Sequence, residues 1–447
     1  MKRSITQSLE DWKSGTSRKP LLLKGARQIG KSYSIREFGE NSFKSMVEVN
    51  LEENKQLRDA FATNDPKVIC SSIAVQLNQP IIPGETLLFI DEIQESKEAF
   101  LALRYFYEKL PELHVIAAGS LLDIALDQNQ DMKVPVGRIE YLYMFPLSFM
   151  EFLHALNESM AHDFITNMSL KVEVQDSTHV RLLSLFNQYI ICGGMPAVIV
   201  EYTRLSSNLR YKKVQADLIQ SYQDDFRKYR TKIDYEKIET IYLNLARHIS
   251  KDFKLNELCA DFSQASTKLI LKLLNSARII HSVRCSIADG MPLGAQVREK
   301  KNKYLFLDVG LLNSLLGVTA LELSKWNYDL INSGTIAEQV VGQELLAYSD
   351  SLFDPQLYFW ARDKRGSSAE VDYLISHDQD VLPIEVKAGA TGSLKSMRIF
   401  MEEKKAPFGI RVSQHSLSFH EQILSIPIYA VCRIRELVSE AKRQGSS

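Results

Sequence analysis

Cysteine is scarce in this sequence, with five in 447 residues (Cys70, Cys192, Cys259, Cys285 and Cys432), and no two are paired in spacing. That scatter fits neither a zinc site nor a disulfide framework and points to core thiols in a reducing, cytoplasmic compartment. Long apolar runs are missing as well. Nothing approaches the ~18 consecutive apolar residues of a membrane span, so no transmembrane helix and no membrane partner are expected. The opening Met-Lys-Arg-Ser-Ile-Thr-Gln is followed by acidic and polar residues rather than an apolar stretch, so no signal peptide is expected either. Charge of one sign is also absent: the net charge of -1 argues against a wholly basic nucleic-acid binder, and charge has to be judged segment by segment. What remains is 45% hydrophobic and 24% charged, ample core material over a length that suggests about three domains.

The chain is organised around residues 21–33. An apolar, strand-like run, Leu21-Leu22-Leu23-Lys24, leads into Gly25-Ala26-Arg27-Gln28-Ile29-Gly30-Lys31-Ser32-Tyr33. Two glycines with four residues between them, followed by Lys and Ser, form the phosphate-loop pattern. Glycines let backbone N–H groups curl around a β-phosphate, Lys31 reaches the β/γ oxygens, and Ser32 offers its hydroxyl to Mg²⁺. A helix over 31–38 and a strand over 46–50 complete a βαβ unit, so the loop sits at a helix N-terminus, as its mechanism requires.

After Pro83-Gly84, Leu87-Leu88-Phe89-Ile90 ends in Asp91-Glu92. Alone, this pair reads as a helix cap after a core strand. Downstream of a phosphate loop it reads as a buried strand delivering Asp91 to the Mg²⁺ shell and Glu92 to an attacking water. A further buried strand, His114–Ala118, ends in Gly119-Ser120, where Ser120 is either a γ-phosphate sensor or part of a simple turn.

Gly-Ala-Arg-Gln-Ile-Gly-Lys-Ser, Phe-Ile-Asp-Glu-Ile-Gln, Ala-Gly-Ser-Leu-Leu, Val-Gly-Arg-Ile (136–139) and Phe-Pro-Leu-Ser-Phe-Met-Glu-Phe-Leu (145–153) together resemble the prokaryotic AAA-type ATPases that carry a C-terminal domain of unknown function. The resemblance runs the length of the chain. It implies ATP and Mg²⁺ as cofactors, with Lys31, Ser32, Asp91 and Glu92 at the nucleotide. It makes Arg138 a candidate γ-phosphate or interface arginine, in cis or across a homo-oligomer, beside the plainer reading of a surface ion pair. Better-known AAA machines have Asn where Ser120 stands.

Residues 146–203 are expected to form a helical lid over the nucleotide, with Gly193-Gly194 as a turn or hinge. Between Arg204 and Arg284 there are sixteen Lys/Arg against nine Asp/Glu. Three helices (235–248, 255–262, 266–277) and a strand at 279–283 suggest a winged helix over 204–300. Its third helix would offer Thr267, Lys268 and Lys272 to a DNA groove, although such modules also make protein contacts. Residues 285–303, with Arg298, Lys300, Lys301 and Lys303, read as a flexible basic loop, and Asp308 reads as a helix cap.

From 301 to 435 a second chemistry appears. Strands at 370–375 and 381–387 place Glu370 with Asp372 on one face and Glu385 with Lys387 on one face. Buried charges are costly unless paired or metal-bound. Asp372 and Glu385 would hold Mg²⁺, with Glu338 completing the shell from a helix and Lys387 activating water for phosphodiester attack. This resembles the PD-(D/E)xK nuclease fold, with Val371 where the signature has proline. Its alternatives are a salt-bridged pair of strands or a nuclease fold without activity. Strands at 408–412 and 428–432 and a tail at 436–447, whose last four residues Gln444-Gly-Ser-Ser are expected to be disordered, finish the chain.

The expected fold is therefore α/β: an AAA-type P-loop core over 1–145, a helical lid, a winged-helix middle domain and a restriction-endonuclease-like C-terminal domain. The expected partner is nucleic acid, DNA before RNA, with a protein partner recruited by an ATP-gated switch as the alternative.

Overall fold

The computed structural model describes residues 1–119, 137–204, 210–227, 234–251, 253–317, 334–362, 369–387 and 393–445. The N-terminal part is built on a parallel sheet of β1 (Leu21–Lys24), β2 (Ser45–Asn50), β3 (Thr86–Asp91), β4 (His114–Ala118) and β5 (Glu140–Tyr143). The strand order is β2-β3-β4-β1-β5. All residues of β3 and β4 are buried, as expected of near-continuous apolar strands covered on both faces. Period-two alternation divides them: Leu22, Leu88, Ile90, Val115 and Ala117 join one core, and Leu21, Leu23, Leu87, Phe89, Ile116 and Ala118 the other. Helix α1 (Ile5–Ser14) and helix α2 (Lys31–Ser42) contribute Leu9, Trp12, Ile35 and Phe38 to the second core, while α3 (Pro66–Leu77) and α4 (Lys97–Lys109) contribute Ile69, Ile73, Phe100 and Leu103 to the first.

A second, eight-stranded sheet is formed by β6 (Ile280–Ser286), β7 (Val297–Phe306), β8 (Leu357–Ala361), β9 (Glu370–His377), β10 (Asp380–Val386), β11 (Gly409–Ser413), β12 (Ser418–His420) and β13 (Ile423–Pro427). Its order is β12-β13-β11-β10-β9-β8-β6-β7. Here the structure corrects several expectations. The expected boundary at 300/301 falls inside β7, and the expected basic loop, 285–303, spans the end of β6, the connection and most of β7 in an antiparallel hairpin, which joins the C-terminal sheet through β6 and β8. The strand expected at 428–432 is a 3₁₀ turn, because β13 ends one residue before it. The expected tail is a helix, Ile434–Gly445, that buries Leu437, Val438 and Ala441; residues 446 and 447 lie outside the described residues.

The three helices expected in the middle are present at Tyr235–Arg247, Leu255–Leu258 and Gln264–Ser276. Thr267 is buried at 1% exposure, so it supports the core and is not offered outward, whereas Lys268 and Lys272 are exposed. The expected lid, 146–203, is rooted in the C-terminal part. The backbone N–H of Phe149 and the hydroxyl of Tyr189 both donate to the Glu344 carboxylate, at 3.1 and 2.8 Å. Its Gly193-Gly194 turn is clamped: Gly194 N–H donates to Asp308 Oδ2 (2.6 Å) and Leu147 N–H to Gly194 O (2.7 Å). Asp308 also caps its own helix, accepting from Leu311 N–H at 3.0 Å. The helix that lies on the phosphate loop is Arg210–Phe226: Tyr222 OH donates to Arg27 O (2.6 Å), and Arg27 pairs with Asp225.

Candidate functional site

The strand order decides where the N-terminal chemistry gathers. Parallel strands deliver their C-terminal ends to one edge, and β4 lies between β1 and β3, so the loop after β1 and the acidic pair after β3 face one another across the end of β4. Gly30, the residue before α2, has φ +96°, a left-handed conformation that favours glycine. Lys31 is buried and donates to Gly25 O (3.0 Å) and Ala26 O (2.7 Å). Burial lowers its pKa to about 8, against the pull of Glu92 and Asp91. Ser32 Oγ donates to Asp91 Oδ2 at 2.7 Å. Burial raises the Asp91 pKa, opposed by that hydroxyl. A hydroxyl and a carboxylate already in contact are the oxygen donors that suit a small hard cation, so Ser32 and Asp91 fit Mg²⁺.

Glu92 is left-handed at φ +49° and outside the strand, and its Oε2 accepts from Gln94 Nε2 at 2.6 Å. Gln94, the last residue of the Phe-Ile-Asp-Glu-Ile-Gln motif, thus orients the expected base. It crosses the end of β4, where a Cβ on Gly119 would stand 2.3 Å from Gln94 Oε1, so the missing side chain makes room for it. Ser120, the expected sensor, lies outside the described residues.

Arg138 is not brought to this site in its own chain. It precedes β5, whose first residue Glu140 pairs with Leu21 while Tyr143 pairs with Lys24 beside the loop. A four-residue strand spans about 13 Å, so Arg138 stands at the opposite edge of the sheet from Gly25–Ser32. There it pairs with Glu108 at 2.9 Å, half exposed. A γ-phosphate role in cis is thereby corrected.

Arg3 is a member of the site that sequence reasoning does not find. It is buried, donates to Ile29 O inside the loop (2.9 Å) and to Phe145 O (2.6 Å), and pairs with buried Glu151 (3.1 Å). Glu151 in turn closes a capping box with Ser148. No local pattern marks an N-terminal arginine as a partner of residue 151.

The C-terminal carboxylates do converge. Continuing the β9–β10 register beyond Tyr373↔Ile384 sets Asp372 opposite Glu385. Asp372 Oδ2 accepts from Val386 N–H (2.7 Å), and Lys387 pairs with Glu385 Oε1 (2.6 Å). Glu338 enters from the helix Gly334–Ala347. The unforeseen member is Lys303 of β7, 1% exposed, which pairs with Glu338 (3.0 Å) and Glu370 (2.5 Å). Burial works against its charge, but Glu338, Glu370 and Asp372 outweigh it and raise its pKa. Burial raises the pKa of Glu338, Asp372 and Glu385 alike. Among the described residues no group of three His, Cys, Asp or Glu side chains is arranged to hold a metal ion. Of the expected shell of Glu338, Asp372 and Glu385, Glu338 is held by an ammonium.

Fold and site together define a P-loop nucleotide-binding α/β domain at the N-terminal end. Residues 17–153 match the family described as AAA domain, residues 183–322 a domain of unknown function (DUF8612), and residues 333–431 a domain of unknown function (DUF4143). The N-terminal third is therefore an AAA-type domain. No curated protein matches the chain. Similar solved structures include the Walker-type ATPase PABY2304 of Pyrococcus abyssi, 16% identical, covering 70% of this chain and 94% of that one with a TM-score of 0.46. The Aeropyrum pernix ORC1 protein in complex with DNA is 11% identical, covering 70% and 90%, with a TM-score of 0.28. The Thermotoga maritima RuvB Holliday junction branch migration motor is 15% identical, covering 62% and 86%, with a TM-score of 0.30. Among the described residues no helix is long and apolar enough to cross a membrane.

Proposed function

We propose that this protein is a Mg²⁺-dependent ATPase whose nucleotide state controls a winged-helix and nuclease-like C-terminal module acting on nucleic acid. The observation that carries the ATPase reading is the Ser32–Asp91 contact, with Lys31 and Glu92 at the same edge of the sheet. Ser32 and Asp91 would hold Mg²⁺, which supplies charge neutralisation at the phosphates when bound. The remaining work falls to side chains. Lys31 exchanges its two loop carbonyls for phosphate oxygens, and Glu92, oriented by Gln94, takes a proton from the attacking water. The winged-helix reading rests on three helices followed by the β6–β7 hairpin, with Lys268 and Lys272 exposed on the third helix. The nuclease-like reading rests on Asp372, Glu385 and Lys387 on adjacent strands.

The test compares ATP hydrolysis by the wild type, Lys31→Ala and Glu92→Gln, with and without DNA. Equal rates in all three would sink the ATPase. A second reading, an ATP-gated switch that recruits a protein partner through a non-cleaving C-terminal domain, is favoured by Lys303 sitting among the carboxylates. A nuclease assay with Lys387→Ala as control separates the two. A wild type that neither cuts nor binds DNA or RNA at low salt decides for the switch.

A further inference from the structure

We infer that Lys303 is the resident cation of the C-terminal cluster and that it keeps Glu338 out of any divalent-metal shell. Its ammonium lies between Glu338 Oε1 (3.0 Å) and Glu370 Oε1 (2.5 Å), 5.1 Å from the centre of the Phe359 ring. At 1% exposure the lysine has no route to water, so its charge depends on these partners. Glu338 is equally fixed. Tyr373 OH donates to its backbone carbonyl at 2.8 Å, holding that turn of the helix against β9, and its own side chain is 12% exposed. A small divalent ion takes oxygens at about 2.0–2.6 Å; the Lys303 ammonium already occupies Glu338 Oε1 and repels a second cation that would bind the same carboxylate.

The other half of the cluster is built differently. Asp372 is held by a backbone N–H and Glu385 by Lys387 through Oε1, while Glu385 Oε2 is buried without a hydrogen-bond partner among the described residues. Two carboxylates, each with one oxygen committed to a backbone N–H or to Lys387, leave a cation to be held largely by water, which makes for weak binding. Lysine at 303 therefore sets the cation affinity of the site. Replacing its ammonium with the neutral end of a methionine would release Glu338 and Glu370 toward Asp372 and Glu385.

This inference rests on reading the cluster as the working site of the C-terminal module, but its readout is ion binding and does not involve cleavage. Mn²⁺ is titrated into the full chain without nucleotide, followed by electron paramagnetic resonance, in an Asp91→Asn background that removes the loop's own cation ligand. The Lys303-intact chain is expected to bind no Mn²⁺ tighter than about 1 mM, and Lys303→Met to bind at least about tenfold more tightly. Adding Glu338→Gln to Lys303→Met should abolish the gain, and Lys303→Arg should behave as the lysine does. A folded Lys303→Met chain with no gain would overturn the inference. So would micromolar binding by the Lys303-intact chain that Glu338→Gln weakens, a measurement that does not require the methionine variant to fold. Failure of the chain to cut nucleic acid would overturn the nuclease-like reading alone and leave the Mn²⁺ affinities as they stand.

Discussion

The phosphate loop and the C-terminal cluster both bury lysine beside carboxylate, but they are assembled by different routes. The first uses two pairs of residues adjacent in sequence at the ends of β1 and β3, parallel strands on either side of β4, so backbone geometry sets the relation of Lys31, Ser32, Asp91 and Glu92. The second draws on β7, β9, β10 and a helix, so its geometry follows from how an eight-stranded sheet pairs. The consequence is chemical. At the loop, lysine is held by neutral carbonyls and is free to exchange them for phosphate; at the cluster, lysine is locked between two carboxylates.

The contrast is sharpest in turnover. Glu92→Gln should lower kcat by about 10²–10⁴ with ATP binding retained, the usual contribution of a general base, whereas Lys31→Ala should lose nucleotide binding itself. Binding measured with a fluorescent nucleotide, alongside steady-state hydrolysis, separates the two. If Glu92→Gln turns over at the wild-type rate, the loop site is as static as the cluster and the contrast fails.

Buried polar contacts that brace the loop and the helices after it give the next largest effect. Arg3→Ala leaves Glu151 buried and unpaired and removes a donor from the loop carbonyl of Ile29, so chemical denaturation should show a loss of about 3–5 kcal/mol. A loss under about 1 kcal/mol would mean the loop does not depend on this brace. Further along, burial raises the Glu344 pKa to about 7 despite donation from Tyr189, Tyr348 and Phe149. A carboxyl whose folded pKa exceeds its unfolded value binds more protons when folded, so its contribution favours folding at low pH and is lost as pH rises from about 4.5 to about 7. The wild type minus Glu344→Gln difference in unfolding free energy should therefore fall across that window by about 2–3 kcal/mol. A flat difference would show that the carboxyl titrates as if exposed.

How much of the molecule is legible in its sequence follows from the same contrast. The loop, its βαβ context and the acidic strand end can be read because spacing alone specifies them. Asp372, Glu385 and Lys387 can be read because strand periodicity puts each on a definite face. Lys303 cannot, since its neighbours Lys300, Lys301 and Asn302 make the segment look solvated; only its pairing with β6, and through it the sheet, carries it inward. Arg3 and Glu344 are invisible for the same reason: their partners lie 148 and 195 residues away.

Arg138 gives the smallest expected effect and tests the local rule from the other side, since its motif resemblance places it at the phosphate and the strand direction removes it. Its pair with Glu108 is exposed and Glu108 is shared with Arg104, so Arg138→Ala should leave the denaturation midpoint essentially unchanged. In dilute solution it should also leave kcat unchanged, because about 13 Å of strand separates it from the loop. A loss of activity that appears only as protein concentration rises would mean that Arg138 serves the loop of a second copy, the interface role its exposed position allows. A loss that is independent of concentration has no such explanation, and would show that the sheet edge carrying Arg138 reaches the nucleotide by a rearrangement of β5 against β1.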